Sequence, residues 1–195
     1  MYVKRMIDKL KTVLKIFADF DEDELDKIVV YFKQKAFKKN TILLKEGIIC
    51  NKFYFIYKGC VRIFFIDKNG YEKTRYIMLD NHMNLGTALT SFISQNPSIE
   101  YIETLEDTEI LAIDHSDFYH LNNEMLNWRL FYQRILEMAY SFQSSRIEHL
   151  VTLTAKQRYN NVLKESPFLI QRLSNRILAS YLDIREETLS RLKSK

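Results

Sequence analysis

Glycine and proline are scarce in this sequence, four and two among 195 residues, which excludes long flexible or proline-stiffened linkers. Cysteine is scarce as well: Cys50 and Cys60 alone cannot build a four-thiolate zinc or iron–sulfur centre. Set among strand-like residues, they read as buried free thiols, the usual cytosolic state, rather than as a disulfide. No run approaches the ~20 consecutive apolar residues that a membrane-spanning helix needs. The N-terminus alternates lysine with Leu, Val and Ile up to Phe20, without the unbroken apolar stretch of a signal peptide. A soluble, cytoplasmic protein with no membrane partner is expected. Enzyme signatures are missing too: there is no Gly-rich phosphate loop, nucleophile elbow or metal-ligand cluster. Asp114-His115-Ser116 has the residue types of a catalytic triad, but adjacent residues cannot converge as a triad does. His115 and His120 fall on different helix faces and read as ordinary surface histidines. No catalytic residue and no metal site is expected.

What is present suits folded domains. The residues are 47% hydrophobic and 13% aromatic, enough to fill real cores, and the length fits one large domain or two small ones. The formal net charge of +4 is unevenly placed. From Val151 onward there are nine Lys/Arg against four Asp/Glu, or +5, which leaves −1 for the 150 residues before it. A basic C-terminal segment on a near-neutral body points to a polyanion partner, although a solvated helical surface would look the same by charge alone.

Hydrophobic periodicity divides the chain. Met1 to about Phe32 is helical in pattern, with Asp21, Asp23 or Glu24 as a cap for a face of Leu25, Ile28, Val29 and Phe32. From Phe37 to Ile113, short runs rich in Ile, Phe, Tyr and Val are broken by turn signals. Phe53–Tyr57 and Val61–Phe65 flank Lys58-Gly59, and Asp67-Lys68-Asn69-Gly70 leads into Tyr71–Leu79, a hairpin signal because Asn and Gly tolerate positive φ. These strands predict an antiparallel roll. After Ile113 the helical period returns, with Ser116 or Asp117 as cap, and no Gly or Pro interrupts it before Leu150. Its apolar positions exceed what the roll requires, which suggests a helix pair with a second copy or contact with both domains. Three short helical patterns follow: Ala155–Leu163 capped by Thr154, Asn175–Leu182, and Arg185–Lys195. The last two are joined by Asp183-Ile184 and carry the small Ala179, which fits a helix-turn-helix with a core of Leu178, Leu182, Ile184, Leu189 and Leu192.

The order of these elements resembles the Crp/Fnr family of bacterial regulators across nearly the whole chain. Lys45-Glu46-Gly47, Tyr54–Gly59, Asn69-Gly70-Tyr71-Glu72, Leu105-Glu106-Asp107, Ala155–Tyr159 and Leu178–Leu182 carry the likeness. Glu187-Thr188-Leu189-Ser190-Arg191 looks like that family's recognition helix. The resemblance implies an α+β architecture: a jelly-roll-like antiparallel β-roll with flanking helices over residues 1–115, a long dimerisation helix over 116–150, and an all-α helix-turn-helix domain over 151–195. It implies a homodimeric transcription regulator acting on double-stranded DNA with a pseudo-palindromic operator. RNA polymerase and a small-molecule effector are further candidate partners.

Family members that bind cyclic nucleotides hold the phosphate with a Gly-Glu pair and an Arg-Ser/Thr-Ala triplet. Here Gly86 stands in place but Thr87 replaces the glutamate, and Ser98-Ile99-Glu100 stands where the triplet would be. Without the arginine a phosphate loses its strongest charge-assisted contact, and Glu100 adds repulsion. Neither cyclic AMP nor cyclic GMP is expected as a cofactor, though Arg75 from another strand could compensate. Arg185, Glu186, Glu187, Thr188 and Arg191 lie on the first two turns of the reading helix. Arg191 can donate to guanine and Glu187 can accept from cytosine, and by resemblance these two, with Glu186, are the base readers. Ser190, Lys193 and Lys195 suit phosphate. Asp183 fills a turn position where the family often has Gly, and Arg185 stands where Ser or Thr usually caps. Two rival readings remain: a sensory module that acts through a protein partner, and a regulator responsive to cyclic nucleotides.

Overall fold

Met6, Leu10 and Leu14 recur every four residues and are fully buried, so Tyr2–Phe17 (α1) forms an amphipathic helix in the computed structural model, which describes residues 2–194. The helical pattern does not continue unbroken to Phe32. It stops at Ala18 and restarts as Glu22–Val29 (α2), because Asp21 closes a capping box: the Glu24 N–H donates to Asp21 Oδ1 at 2.8 Å and the Asp21 N–H to Glu24 Oε2 at 3.1 Å. The chain packs as two compact units, Met1–Ile63 with Ile77–Met138, and Phe64–Tyr76 with Ala139–Lys195.

The strands, which apart from the hairpin residues Phe64–Tyr76 belong to the first unit, build a roll. Lys33–Phe37 (β1), Lys52–Lys58 (β3), Leu85–Gly86 (β6) and Thr108–Asp114 (β8) form one antiparallel sheet in the order β1-β8-β3-β6. Ile42–Leu44 (β2), Cys60–Ile66 (β4), Glu72–Leu79 (β5) and Tyr101–Thr104 (β7) form the other, in the order β2-β7-β4-β5. Strand β1, Lys-Gln-Lys-Ala-Phe, begins before the sequence pattern announces it. Its mostly exposed polar residues have low strand propensity, and pairing with β8 from Lys33↔Ala112 to Phe37↔Thr108 holds it. Gly59 is indispensable between β3 and β4: its φ is +105°, and a Cβ there would lie 2.5 Å from Thr108 Oγ1 and 2.8 Å from Thr108 Cα. Cys50 and Cys60 are buried free thiols. The short helix Leu89–Ser94 (α3) contributes buried Phe92.

The expected single helix from Ser116 to Leu150 is two helices, His115–Glu124 (α4) and Leu126–Thr152 (α5). Met125 breaks them with extended φ −122°, ψ 120°, just after the weak helix formers Asn122 and Asn123. Tertiary contacts hold the break: Trp128 Nε1 donates to the Phe118 carbonyl at 3.1 Å, and Asn127 donates to Glu24 Oε2 at 2.8 Å. Phe53, Phe92, Phe118, Trp128 and Phe131 are all fully buried and form the aromatic centre of this unit. Asp114 precedes α4 as its cap residue in place of Ser116 or Asp117, and it is ion-paired with Lys33 and Lys52 instead of bonding a helix N–H. His115 is half-buried against Phe92 and Tyr119, with ring centroids 5.0 and 4.5 Å away, and is not the surface histidine expected.

The second unit is helical, apart from its hairpin. α5 continues into it from Ala139, followed by Ala155–Glu165 (α6), Pro167–Arg172 (α7), Asn175–Leu182 (α8) and Glu186–Lys193 (α9). Thr154 caps α6 through a capping box with Gln157, as its position predicts. Tyr159, Leu169, Leu173, Ile177, Leu178, Leu182 and Leu189 make the core, with Ile184 and Leu192 half-buried at its margin. Among the described residues no helix is long and apolar enough to cross a membrane, and no group of three or more His, Cys, Asp or Glu could hold a metal.

Candidate nucleic-acid interface

Ala179, buried in α8, presents only a methyl group, which allows neighbouring helices to pack closely there. Between α8 and α9 Asp183 takes the left-handed conformation, φ 52°, ψ 49°, and the Ile184 N–H returns to the Ala179 carbonyl at 3.0 Å. Aspartate can enter this region at modest cost, so the turn forms without glycine. Ser174 caps α8 through the Ile177 N–H. Arg185 precedes α9 with no side-chain cap, and Glu186 and Glu187 in the first turn face the positive end of the helix dipole.

The structure brings the predicted reading residues together on this short helix. Arg185, Glu186, Glu187, Ser190 and Arg191 are exposed, Thr188 is half-buried, and Leu189 anchors the opposite face at zero exposure. Lys193, assigned to phosphate, donates to Asn175 Oδ1 at 2.6 Å. Lys195 lies outside the described residues. Arg185, Glu186, Glu187, Thr188 and Arg191 also line a cleft of about 1270 Å³ whose other wall is the β4–β5 hairpin, including Asp67, Asn69, Tyr71 and Glu72. That wall is not legible in the sequence, because nothing in a hairpin's own residues says what it will lie against.

Side chains bind the hairpin to α8. The Thr74 N–H donates to Ser180 Oγ at 2.8 Å, Ser180 Oγ donates to the Glu72 carbonyl at 2.8 Å, and the Thr74 and Ser180 hydroxyl oxygens are 2.9 Å apart. Lys73 Nζ pairs with Asp183 Oδ1 at 2.5 Å. Arg146 Nη2 donates to the Thr74 carbonyl at 2.9 Å and the Tyr181 carbonyl at 2.8 Å, with its guanidinium over the Tyr181 ring. Burial lowers the pKa of this arginine from its ordinary value. At the tip, Asp67 accepts from the Asn69 and Tyr71 N–H groups, and these bonds, that from Tyr71 first, hold its carboxyl below the usual carboxylate range.

In the cassette of the roll the polar side chains bond the chain itself. Thr87 is buried, and its hydroxyl donates to the Lys52 carbonyl at 2.7 Å and lies 3.0 Å from Cys50 Sγ. Ser98 Oγ accepts from the Glu100 N–H and donates to the Glu100 carbonyl. Ile99, at the centre of the degenerate triplet, is 73% exposed, whereas Glu100 is buried, a poor neighbour for a phosphate. Gly86 lies in β6 opposite Tyr54. Arg75 falls in the hairpin segment, which packs with the second unit. One buried cation escaped the sequence reading: Arg62 on β4, with its side chain 1% exposed, pairs with Glu103 Oε2 at 2.6 Å. A lone arginine inside Val61-Arg62-Ile63 was the only signal, and it does not tell an internal ion pair from a surface charge.

Residues 34–124 match the model of the cyclic nucleotide-binding domain family. No curated protein matches the chain significantly. Among solved structures, a protein assigned to the crp/fnr family of transcriptional regulators from Eubacterium rectale aligns at TM-score 0.70 and 17% identity, covering 89% of this chain and 82% of that one. The c-di-GMP-responsive global regulator CLP of Xanthomonas campestris gives TM-score 0.69 at 16% identity, with 88% of this chain and 89% of that one covered. The catabolite activator protein of Thermus thermophilus gives 0.59 at 19% identity, with 91% and 84% covered.

Proposed function

We propose that this chain, which has the fold of the Crp/Fnr regulators and carries a cyclic nucleotide-binding domain at residues 34–124, is a DNA-binding transcription regulator. The observation that carries the reading is the α8–Asp183–α9 arrangement, a left-handed turn that leaves the polar face of α9 exposed while Leu189 is buried beneath it. A helix fits the major groove, where Arg191 donates two hydrogen bonds to guanine and Glu187, one turn earlier, accepts from cytosine N4. Arg185, Glu186 and Thr188 complete the base-facing set, and Ser190 and Lys193 serve the phosphates. Lys193 gives up Asn175 to do so.

The chain acts as a homodimer on a pseudo-palindromic operator. Helix α5 supports this, since it is 27 residues and roughly 40 Å long, with Leu126, Leu130, Tyr140, Ile147, Leu150 and Val151 exposed along it. Two copies joined along α5 would present two reading helices to half-sites one helical turn, or a multiple of it, apart. Selection of genomic fragments by the purified protein without added ligand, at two salt concentrations, tests the reading. A palindromic motif weakened by salt and lost in Arg191→Ala is the expected outcome, whereas a folded dimer that enriches no motif would refute it.

The domain match at 34–124 favours a second reading, a regulator that responds to cyclic nucleotides. The inward-bonded Thr87 and Ser98 and the buried Glu100 speak against it. Thermal stabilisation by cyclic AMP or cyclic GMP would establish it, and none is expected.

A further inference from the structure

We propose that the β4–β5 hairpin is an autoinhibitory latch, which holds α8 and α9 in a closed state that excludes duplex DNA and must release before α9 can enter a groove. The inference rests on the DNA-reading function proposed above and names the regulation of that same site.

Geometry carries it. A helix in the major groove lies in a channel about 12 Å wide and 8.5 Å deep, so phosphate strands run along both of its sides. In this chain the hairpin tip already stands along one side, as the second wall of the cleft that Glu187 and Arg191 line. The duplex and the hairpin tip compete for that space. The wall carries Asp67 and Glu72, and its charges are already engaged with α8 and the turn after it, Glu72 with Arg176 at 3.7 Å and Lys73 with Asp183. A phosphate strand drawn into the cleft would meet carboxylates at short range.

The latch has a defined lock. β5 is the edge strand of its sheet, and the free edge of such a strand offers alternating N–H and C=O groups. Ser180 takes the place of a neighbouring strand: its hydroxyl accepts from the Thr74 N–H and donates to the Glu72 carbonyl. Arg146 then takes the Thr74 carbonyl. These are polar bonds that water can replace, so the lock can open without unfolding the helices. Both hairpin strands run on into the first unit, as Cys60–Ile63 and Ile77–Leu79, so the latch shares its backbone with strands of the roll. Closed molecules lower the apparent operator affinity by the fraction that is open.

Two sets of variants of the full chain test this. In Thr74→Cys with Ser180→Cys, the new sulfurs replace hydroxyl oxygens 2.9 Å apart, within bridging reach, while the native cysteines are buried. The probes are a fluorescent duplex of the enriched genomic fragment and a random-sequence duplex. The oxidised protein is expected to lose binding to the enriched duplex, and reduction is expected to restore it. Separately, Lys73→Ala with Ser180→Ala removes the Ser180 bonds and the Lys73–Asp183 pair without touching the reading residues, and is expected to tighten binding by roughly 5- to 30-fold. Oxidised protein that binds the enriched duplex as tightly as reduced protein would overturn the latch and leave DNA reading intact. Release variants that bind no tighter than wild type would overturn it as well, since the closed state would then not limit binding. If every form stays folded and none binds either duplex, DNA reading fails and the latch falls with it.

Discussion

The loop from Gly86 to Glu100 and the helix from Glu186 to Lys193 are both short, polar and placed where the resemblance expects contact with an anion, yet they use their polar groups in opposite ways. In the loop three hydroxyls turn inward: Thr87 bonds the Lys52 carbonyl, Ser91 joins the Cys50 N–H to the Asn96 carbonyl, and Ser98 closes on Glu100. In the helix the long side chains of Arg185, Glu186, Glu187 and Arg191 project from an exposed face over a buried Leu189. Short hydroxyls within reach of local backbone settle a shape, whereas long charged groups on a regular helix are presented to another molecule. In the roll these polar atoms bond the chain itself.

If that contrast is right, substitutions in the roll move stability and substitutions in α9 move affinity. The largest effect is expected for Gly59→Ala, which combines a positive φ with backbone contacts under 3 Å and should cost at least about 3 kcal/mol in chemical denaturation of the roll. Arg191→Ala should cost about 1–3 kcal/mol of operator discrimination, read by titration against the enriched duplex and a point-mutated one, with the melting temperature unchanged. A matching loss of stability there would break the contrast. Thr87→Val, which removes a buried hydrogen bond from the cassette, should cost about 1 kcal/mol of stability and leave DNA affinity as it was. The smallest effect concerns acid. Hydrogen bonds from Lys33 and then Lys52 hold the Asp114 carboxyl below its ordinary value, so its contribution is present above the unfolded pKa of about 4 and is lost as pH falls through the lower folded value. Asp114→Asn should therefore flatten the acid limb of the roll's stability profile below about pH 4, and an unchanged limb would show that the Lys33–Asp114–Lys52 cluster adds nothing.

Legibility followed how local each cause was. Asp21, Thr154 and Gly70 act within four residues of themselves, and the caps and the hairpin turn they predict are where the sequence places them. α8 appears over the predicted Asn175–Leu182, since its leucines, Ala179 and the Asp183 turn agree with one another. The failures were non-local. β1 is a strand because β8 pairs with it, and α4 separates from α5 because Trp128 and Asn127 find partners outside the helix. His115 reads as a surface residue until Phe92, from another element, is set against it. The candidate reading residues came from the resemblance and helical spacing, and the hairpin wall facing them did not.

The sequence by itself determined the excess of positive charge after Val151, the caps at Asp21 and Thr154 and the left-handed turn at Asp183, because composition needs no fold and each of these caps and turns depends on bonds and dihedrals within a few residues. Tertiary structure alone decided which polar groups are used up internally and which remain available. Whether Thr87, Arg62 or Ser180 meets a partner depends on residues tens of positions away or more, and Thr74 is more than a hundred from Ser180. Hydrogen bonds and ion pairs form over about 3 Å in space whatever the separation along the chain, so that decision waits until the chain is folded.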